Sequence, residues 1–117
     1  MRFVFTIASG SIERPYLFVQ DPRGAGKSNG DICTWGSQEG RDEADVIDWV
    51  GQQPWCSGKV GLTGNSWLAV SQWFAAAEKP KHLTCIAPWE GFSDVYREAL
   101  CVGGVLSKPG RAPFNLP

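Results

Sequence analysis

The sequence predicts an α/β fold built around a mostly parallel sheet. Three observations point there. Helical and strand patterns alternate from residue 42 to residue 87. The strand candidates are short, and one of them, Tyr16-Leu17-Phe18-Val19-Gln20, is a continuous apolar run of the kind buried in parallel sheets. The chain also carries 14 Gly and 8 Pro in 117 residues, which gives many sharp turns between short elements.

The elements follow in order. Phe3 to Ala8 is rich in β-formers, and Ser9-Gly10-Ser11 breaks it. Only Ser9 to Pro15 separates this run from Tyr16–Gln20, whereas a parallel crossover needs about a dozen residues or more. The two runs are therefore not successive strands of a βαβ unit. Asp21 to Gly40 reads as loop, with Asn29-Gly30 as a turn. A helix is expected over about Asp42–Gln52, with Asp42, Glu43 and Asp45 at its positive end and Pro54 as its stop. The acidic run Asp42–Asp48 reads as a solvated face. Lys59 to Thr63 reads as a strand, Gly64-Asn65-Ser66 as a tight turn, and Trp67 to Glu78 as a second helix ended by Pro80. Leu83 to Ala87 is the next strand. Ser93 is expected to cap a short helix through Leu100, and the residues after it read as irregular.

Composition excludes several function classes. Eleven Lys+Arg against twelve Asp+Glu leave a net charge of −1, without the basic excess of a sequence-independent nucleic-acid binder. No run approaches the roughly 18–20 apolar residues of a membrane span. The apolar stretch at the start is shorter than the roughly 7–15 residues of a secretory signal, so a cytoplasmic location is expected. Cys33, Cys56, Cys85 and Cys101 are irregularly spaced and His82 is the single histidine. A zinc site needs about four ligands in paired spacing, so neither metal nor cofactor is expected. The cysteines read as free, buried thiols. Trp49, Trp55 and Trp73 read as core, His82 as a surface loop residue, Trp89 and Glu90 as a structural corner, and Asp21 and Arg23 as braces for their loop.

The chemistry concentrates at Ser66. A strand, a tight turn and a helix in succession are the context of a nucleophile elbow, where a Ser hydroxyl stands above the carboxyl end of a sheet. Gly64 lets the chain pass closely. The helix that follows presents N–H groups and a positive dipole end, so the Trp67 N–H is placed to bond an oxyanion formed when Ser66 attacks a carbonyl. The common pattern is G-x-S-x-G, and Leu68 stands at the last Gly position.

Four ordered blocks extend this reading. Asp21-Pro22-Arg23-Gly24-Ala25-Gly26-Lys27-Ser28-Asn29-Gly30 matches a D-x-R-G-x-G-x-S-x-G loop. Pro54-Trp55-Cys56-Ser57-Gly58-Lys59-Val60-Gly61 matches a P-W-C-x-G-x-V-G strand entry. Gly64 to Trp73 and Ala87 to Arg97 match the nucleophile segment and the segment after the next strand. Together, over roughly Tyr16 to Leu106, the chain resembles the X-Pro dipeptidyl-peptidase-like, cocaine esterase-like (CocE/NonD) branch of the α/β-hydrolases. The resemblance implies a partial α/β-hydrolase domain over 16–106, with an uncertain segment over 1–15 and an irregular tail over 107–117.

It also implies acyl transfer, with Ser66 as nucleophile and the Trp67 backbone N–H as one oxyanion donor, acting on a small-molecule ester or X-Pro peptide. The family's second donor is a Tyr hydroxyl from a segment nearer the N-terminus, and neither Tyr16 nor Tyr96 matches it. The fold's order is Ser, then Asp or Glu, then His. His82 and Glu78 cannot complete a triad, because Glu78 lies about 16 Å or more down the helix and His82 belongs at the far end of the sheet. Asp94 and Glu98 have no histidine behind them. The sequence thus reads as the middle of a hydrolase, cut before its acid and base and weak or inactive as this chain. A non-catalytic pseudoenzyme or interaction fragment is the competing reading. A phosphate-binding loop at Gly26-Lys27-Ser28 is disfavoured, since Asp21 stands where the first Gly should be and no helix pattern begins at Lys27.

Overall fold

The computed structural model describes residues 3–5 and 18–106. Four strands and two long helices are seen: β1 (Phe3–Phe5), β2 (Phe18–Gln20), α1 (Ser37–Gly51), β3 (Val60–Asn65), α2 (Trp67–Ala77) and β4 (Leu83–Trp89). A five-residue π-helical turn, Tyr96–Leu100, and a single 3₁₀ turn, Val102–Gly104, follow. Residues 1–2, 6–17 and 107–117, which include Tyr16 and the expected tail over 107–117, lie outside the described residues.

β3 and β4 pair in parallel, joined by α2 as the crossover. This is the arrangement that the alternating pattern predicted. β1 and β2 pair antiparallel, Val4 opposite Val19, in agreement with a connection too short for a crossover. β1 also comes close to β3, without a shared ladder among the described residues.

The core lies on one face of β3. Val60 and Leu62 point into it and meet Ile47 and Val50 of α1 and Ala75 of α2, with Phe18, Trp67, Leu68 and Ile86 packed around them. Side chains alternate across a strand, so Gly61, Thr63 and Asn65 stand on the opposite face, level with Cys85, Ala87 and Trp89 of β4.

Four expectations are corrected. α1 begins at Ser37 rather than near Asp42, because Gly40 is a helix residue and not a loop marker. Its missing side chain allows the backbone of Phe74 in α2 to come so close that a Cβ would stand 2.6 Å from the Phe74 carbonyl oxygen. The acidic run Asp42–Asp48 is not wholly solvated, since Glu43 is 5% exposed. Cys85 is exposed and Cys56 half-buried; the thiols are free, and Cys101 alone is buried. Trp49, Trp55 and Trp73 are exposed rather than core. An apolar side chain at the surface is common, because a small domain has too little polar area to cover itself.

Candidate active site

The elbow is set by the end of β3. Ser66 follows Asn65 with φ 58° and ψ −116°, close to the first central position of a type II′ turn, which Gly normally fills. A non-Gly residue there is strained. Two sets of contacts hold it. The Ser66 N–H donates to the Trp89 carbonyl at 3.0 Å, continuing the β3–β4 ladder by one residue. The Ser66 carbonyl accepts from the N–H groups of Ala69 and Val70 at 3.0 and 3.2 Å, the first bonds of α2. Ser66 is exposed.

Close packing surrounds this turn. A Cβ on Gly64 would stand 2.5 Å from the Cβ of Leu68, so one of the two positions must be small. Glycine at 64 leaves room for Leu68 at the position that is usually Gly. Gly91 likewise approaches Ala69, with a built Cβ 2.6 Å from that of Ala69. The segment after β4 is thereby pressed against the start of α2.

An aromatic cluster braces Trp67. Its ring lies 4.3 Å from that of Trp35, which meets Phe92 edge-on at 5.2 Å. The loop before α1 and the segment after β4 thus converge on the residue that follows Ser66. Trp67 is the first residue of α2, where helix N–H groups point outward along the axis. On the other face, the Trp89 indole N–H donates to the Thr63 hydroxyl at 3.0 Å.

The remaining predicted residues fall away from the elbow. The His82 carbonyl accepts from the N–H of Val60, at the opposite end of β3. Six strand residues separate it from Ser66, on the order of 16–20 Å. His82 is structural: its Nδ1 meets the Gly58 carbonyl at 2.9 Å, its N–H donates to Asp48 at 3.0 Å, and its ring packs on Gly51. It is half-buried rather than a free surface residue. Glu78 caps the far end of α2. Tyr96 is exposed in the π-helical turn. Ser93 does not cap that turn; its N–H and hydroxyl donate to Glu98 at 3.0 Å, while Asp94 accepts the N–H of Arg97.

Asp21 and Arg23 brace their loop as expected. The Asp21 carboxylate accepts the N–H of Lys27 at 3.1 Å, and its carbonyl accepts the Ser28 hydroxyl at 2.8 Å. Arg23 grips Asp42 with two bonds of 2.7 and 2.6 Å, which hold the Asp42 carboxyl below its ordinary range. With Asp21 filling the loop and no helix starting at Lys27, there is no phosphate cradle. Among the described residues no cluster of three or more His, Cys, Asp or Glu could hold a metal ion, and no helix is long and apolar enough to cross a membrane.

Sequence reasoning missed one charged feature. Glu43 sits on the buried face of α1, where burial first and the neighbouring Glu39 second push its carboxyl up to about 8, against a bond from the Ser71 hydroxyl. Glu39 is also raised by burial, although the Trp35 N–H donates to it. The signal was available as spacing: Glu39, Glu43, Ile47 and Val50 recur at the three- and four-residue steps of one helix face.

Comparison with known proteins agrees with this fold. Residues 12–115 match the family model described as X-Pro dipeptidyl-peptidase (S15 family). A protein named as a serine esterase in Mycobacterium bovis is 38% identical over 101 residues, which is 85% of this chain and 15% of that protein. The cocaine esterase of a Rhodococcus species is 39% identical over 81 residues, 69% of this chain and 14% of that one. A CocE/NonD family hydrolase from Staphylococcus aureus, solved by crystallography, superposes with a TM-score of 0.68 at 41% identity, over 75% of this chain and 16% of its own. The chain therefore spans about 15% of the length of the relatives it matches. With a partial α/β-hydrolase fold, an exposed serine at a strand-to-helix elbow and a family match over most of its length, this chain belongs to the X-Pro dipeptidyl-peptidase (S15) family.

Proposed function

We propose that the chain carries the nucleophile segment of a serine acyl hydrolase and that, alone, it hydrolyses activated esters slowly. The observation behind this reading is the strained, exposed Ser66 at the start of α2. Its Oγ attacks the carbonyl carbon of an ester or X-Pro peptide, and the hydroxyl proton is lost to solvent. The oxyanion that forms accepts a hydrogen bond from the Trp67 N–H. The carbon–oxygen or carbon–nitrogen bond to the leaving group then breaks, and the leaving group takes up a proton. Water attacks the resulting acyl-enzyme, releases the acid and returns a proton to Ser66. No cofactor enters these steps.

The rate is limited by proton transfer. The chain's one histidine is at the opposite end of the sheet, so Ser66 has no imidazole to take its proton. Enzymes stripped of their triad retain roughly 10³–10⁴-fold acceleration over water from the oxyanion hole and binding, and that range is the upper bound for this chain. The same observation favours a second reading, a non-catalytic protein that keeps the family's surface.

A burst assay with 4-nitrophenyl acetate separates the two. Slow acylation visible as an acetyl adduct on Ser66, lost in Ser66→Ala, supports the hydrolase reading. Identical release of nitrophenol by the wild type and Ser66→Ala, with no adduct, supports the non-catalytic one.

A further inference from the structure

Four carboxyl groups and one guanidinium line a cavity that the acyl-transfer steps do not use. It lies between α1 and the loop after β2, holds about 180 Å³, and has Asp21, Arg23, Cys33, Glu39, Asp42 and Glu43 in its wall. A single water needs only about 10–15 Å³, so there is room for a small organic group. Arg23 is committed to Asp42, which it grips with two bonds. Its charge is thereby balanced, and Asp21, Glu39 and Glu43 make the rest of the wall acidic. Two of these groups are deep, with Glu39 7% and Glu43 5% exposed. Glu39 accepts the Trp35 N–H. The Glu43 carboxyl is reached by the Ser71 hydroxyl from α2, but its Oε2 has no hydrogen-bond partner. A buried acceptor in that condition is costly. Ser71 approaches from α2 and the cavity lies toward the loop after β2, so a donor for Oε2 enters from the cavity.

We propose that this cavity binds a primary ammonium group, held by hydrogen bonds to Glu43 Oε2 and to the Glu39 carboxylate. The wall calls for positive charge, N–H donors and some bulk. Among the described residues no cluster of these groups could hold a metal ion. A quaternary ammonium has the charge but no N–H. A guanidinium is planar and suits both oxygens of one carboxylate, whereas Glu43 offers one. A primary ammonium is a compact charge with three N–H donors, and it can bond one oxygen of each carboxyl. A free alkylamine and a lysine side chain of a peptide carry the same chemistry. Binding also moves a proton. Burial first and Glu39 second push the Glu43 carboxyl up to about 8, so it holds its proton at pH 7 before the cation enters. On binding, the carboxyl O–H bond breaks, the proton goes to solvent, and an ammonium N–H takes its place. The groups around this event are Glu39 and Asp42 of α1, Asp21, Arg23 and Cys33 of the loops, and Ser71 of α2.

Isothermal calorimetry on the intact chain tests this. The probes are n-butylammonium chloride as the free amine and acetyl-Gly-Lys-Gly-amide as the peptide. Sodium chloride and tetramethylammonium chloride at equal ionic strength are the controls. The expectation is saturable binding of at least one probe, with about one proton released at pH 6.5 and almost none at pH 9. Apparent affinity should rise about tenfold from pH 6 to pH 7. At pH 8.5, Glu43→Gln should weaken binding about tenfold or more, and it should remove the proton release at pH 6.5. Glu39→Gln should weaken binding about threefold and keep the release. If Glu43→Gln does not fold, Glu39→Gln and the proton count decide. The tighter probe identifies the source of the ammonium group. No saturable binding of either probe overturns the proposal. So does binding that sodium or tetramethylammonium matches, that releases no proton at pH 6.5, or that is as tight in Glu43→Gln as in the wild type.

Discussion

Gly64 and Leu68 face each other across the elbow at a distance that leaves no room for a second side chain: a Cβ on Gly64 would lie 2.5 Å from that of Leu68 and 3.1 Å from the Leu68 carbonyl oxygen. Neither atom is the free end of a flexible side chain, so the helix start itself must move. Gly64→Ala is expected to cost about 1–3 kcal/mol, the usual range for overpacking. The cost should shrink in a Leu68→Gly background, giving a coupling of about 1 kcal/mol. Urea unfolding of the four proteins measures it; equal costs in both backgrounds would show that the two positions do not compete.

Ser66 itself stores strain. At φ 58° and ψ −116° it holds a conformation suited to glycine. Ser66→Gly is expected to stabilise the fold by about 1 kcal/mol, while Ser66→Ala, which keeps a Cβ in the same conformation, is expected to be close to neutral. The order of the two melting temperatures checks this. A Gly variant less stable than the Ala variant would contradict the strained elbow.

Glu43 makes stability depend on pH. Its carboxyl ionises near its ordinary value of 4.5 in the unfolded chain and at about 8 in the folded one. The folded state therefore holds the proton more tightly, and its advantage is fully present below about pH 4.5. As pH rises toward 8, ionisation in the unfolded chain draws the equilibrium away from the fold. The loss across this window is on the order of 2–4 kcal/mol. Glu43→Gln, which cannot ionise, should remove most of the slope and gain stability at pH 8. Unfolding free energies measured from pH 5 to pH 8 test the sign; a wild-type curve that rises over that window would reverse the assignment.

The strand–turn–helix from Val60 to Ala77 was legible because its signals agree. Val60 and Leu62 alternate with Gly61 and Thr63, Gly64 breaks the strand, and Pro80 stops the helix. The parallel pairing with β4 followed from a crossover of sufficient length. Residues that serve two purposes were less legible. Gly40 looks like a loop residue in sequence, but it is the point where α1 and α2 touch. Glu43 looks solvated within an acidic run, but the helix turns it under Ser71. Cys85 belongs to an apolar run, yet its side chain points to the sheet face that neither α1 nor α2 covers. The position of Ser66 could be read from local pattern. Its bond to Trp89 depends on the register of a strand more than twenty residues away, which no local pattern carries.

The central claim is that Ser66 is a reactive hydroxyl presented at the elbow. Its most direct test is treatment of the intact chain with a fluorophosphonate, followed by peptide mass mapping. The account predicts one adduct, located on Ser66, formed faster than on the unfolded chain and absent from Ser66→Ala. No adduct on the folded protein, or one that forms equally fast after denaturation, would contradict it.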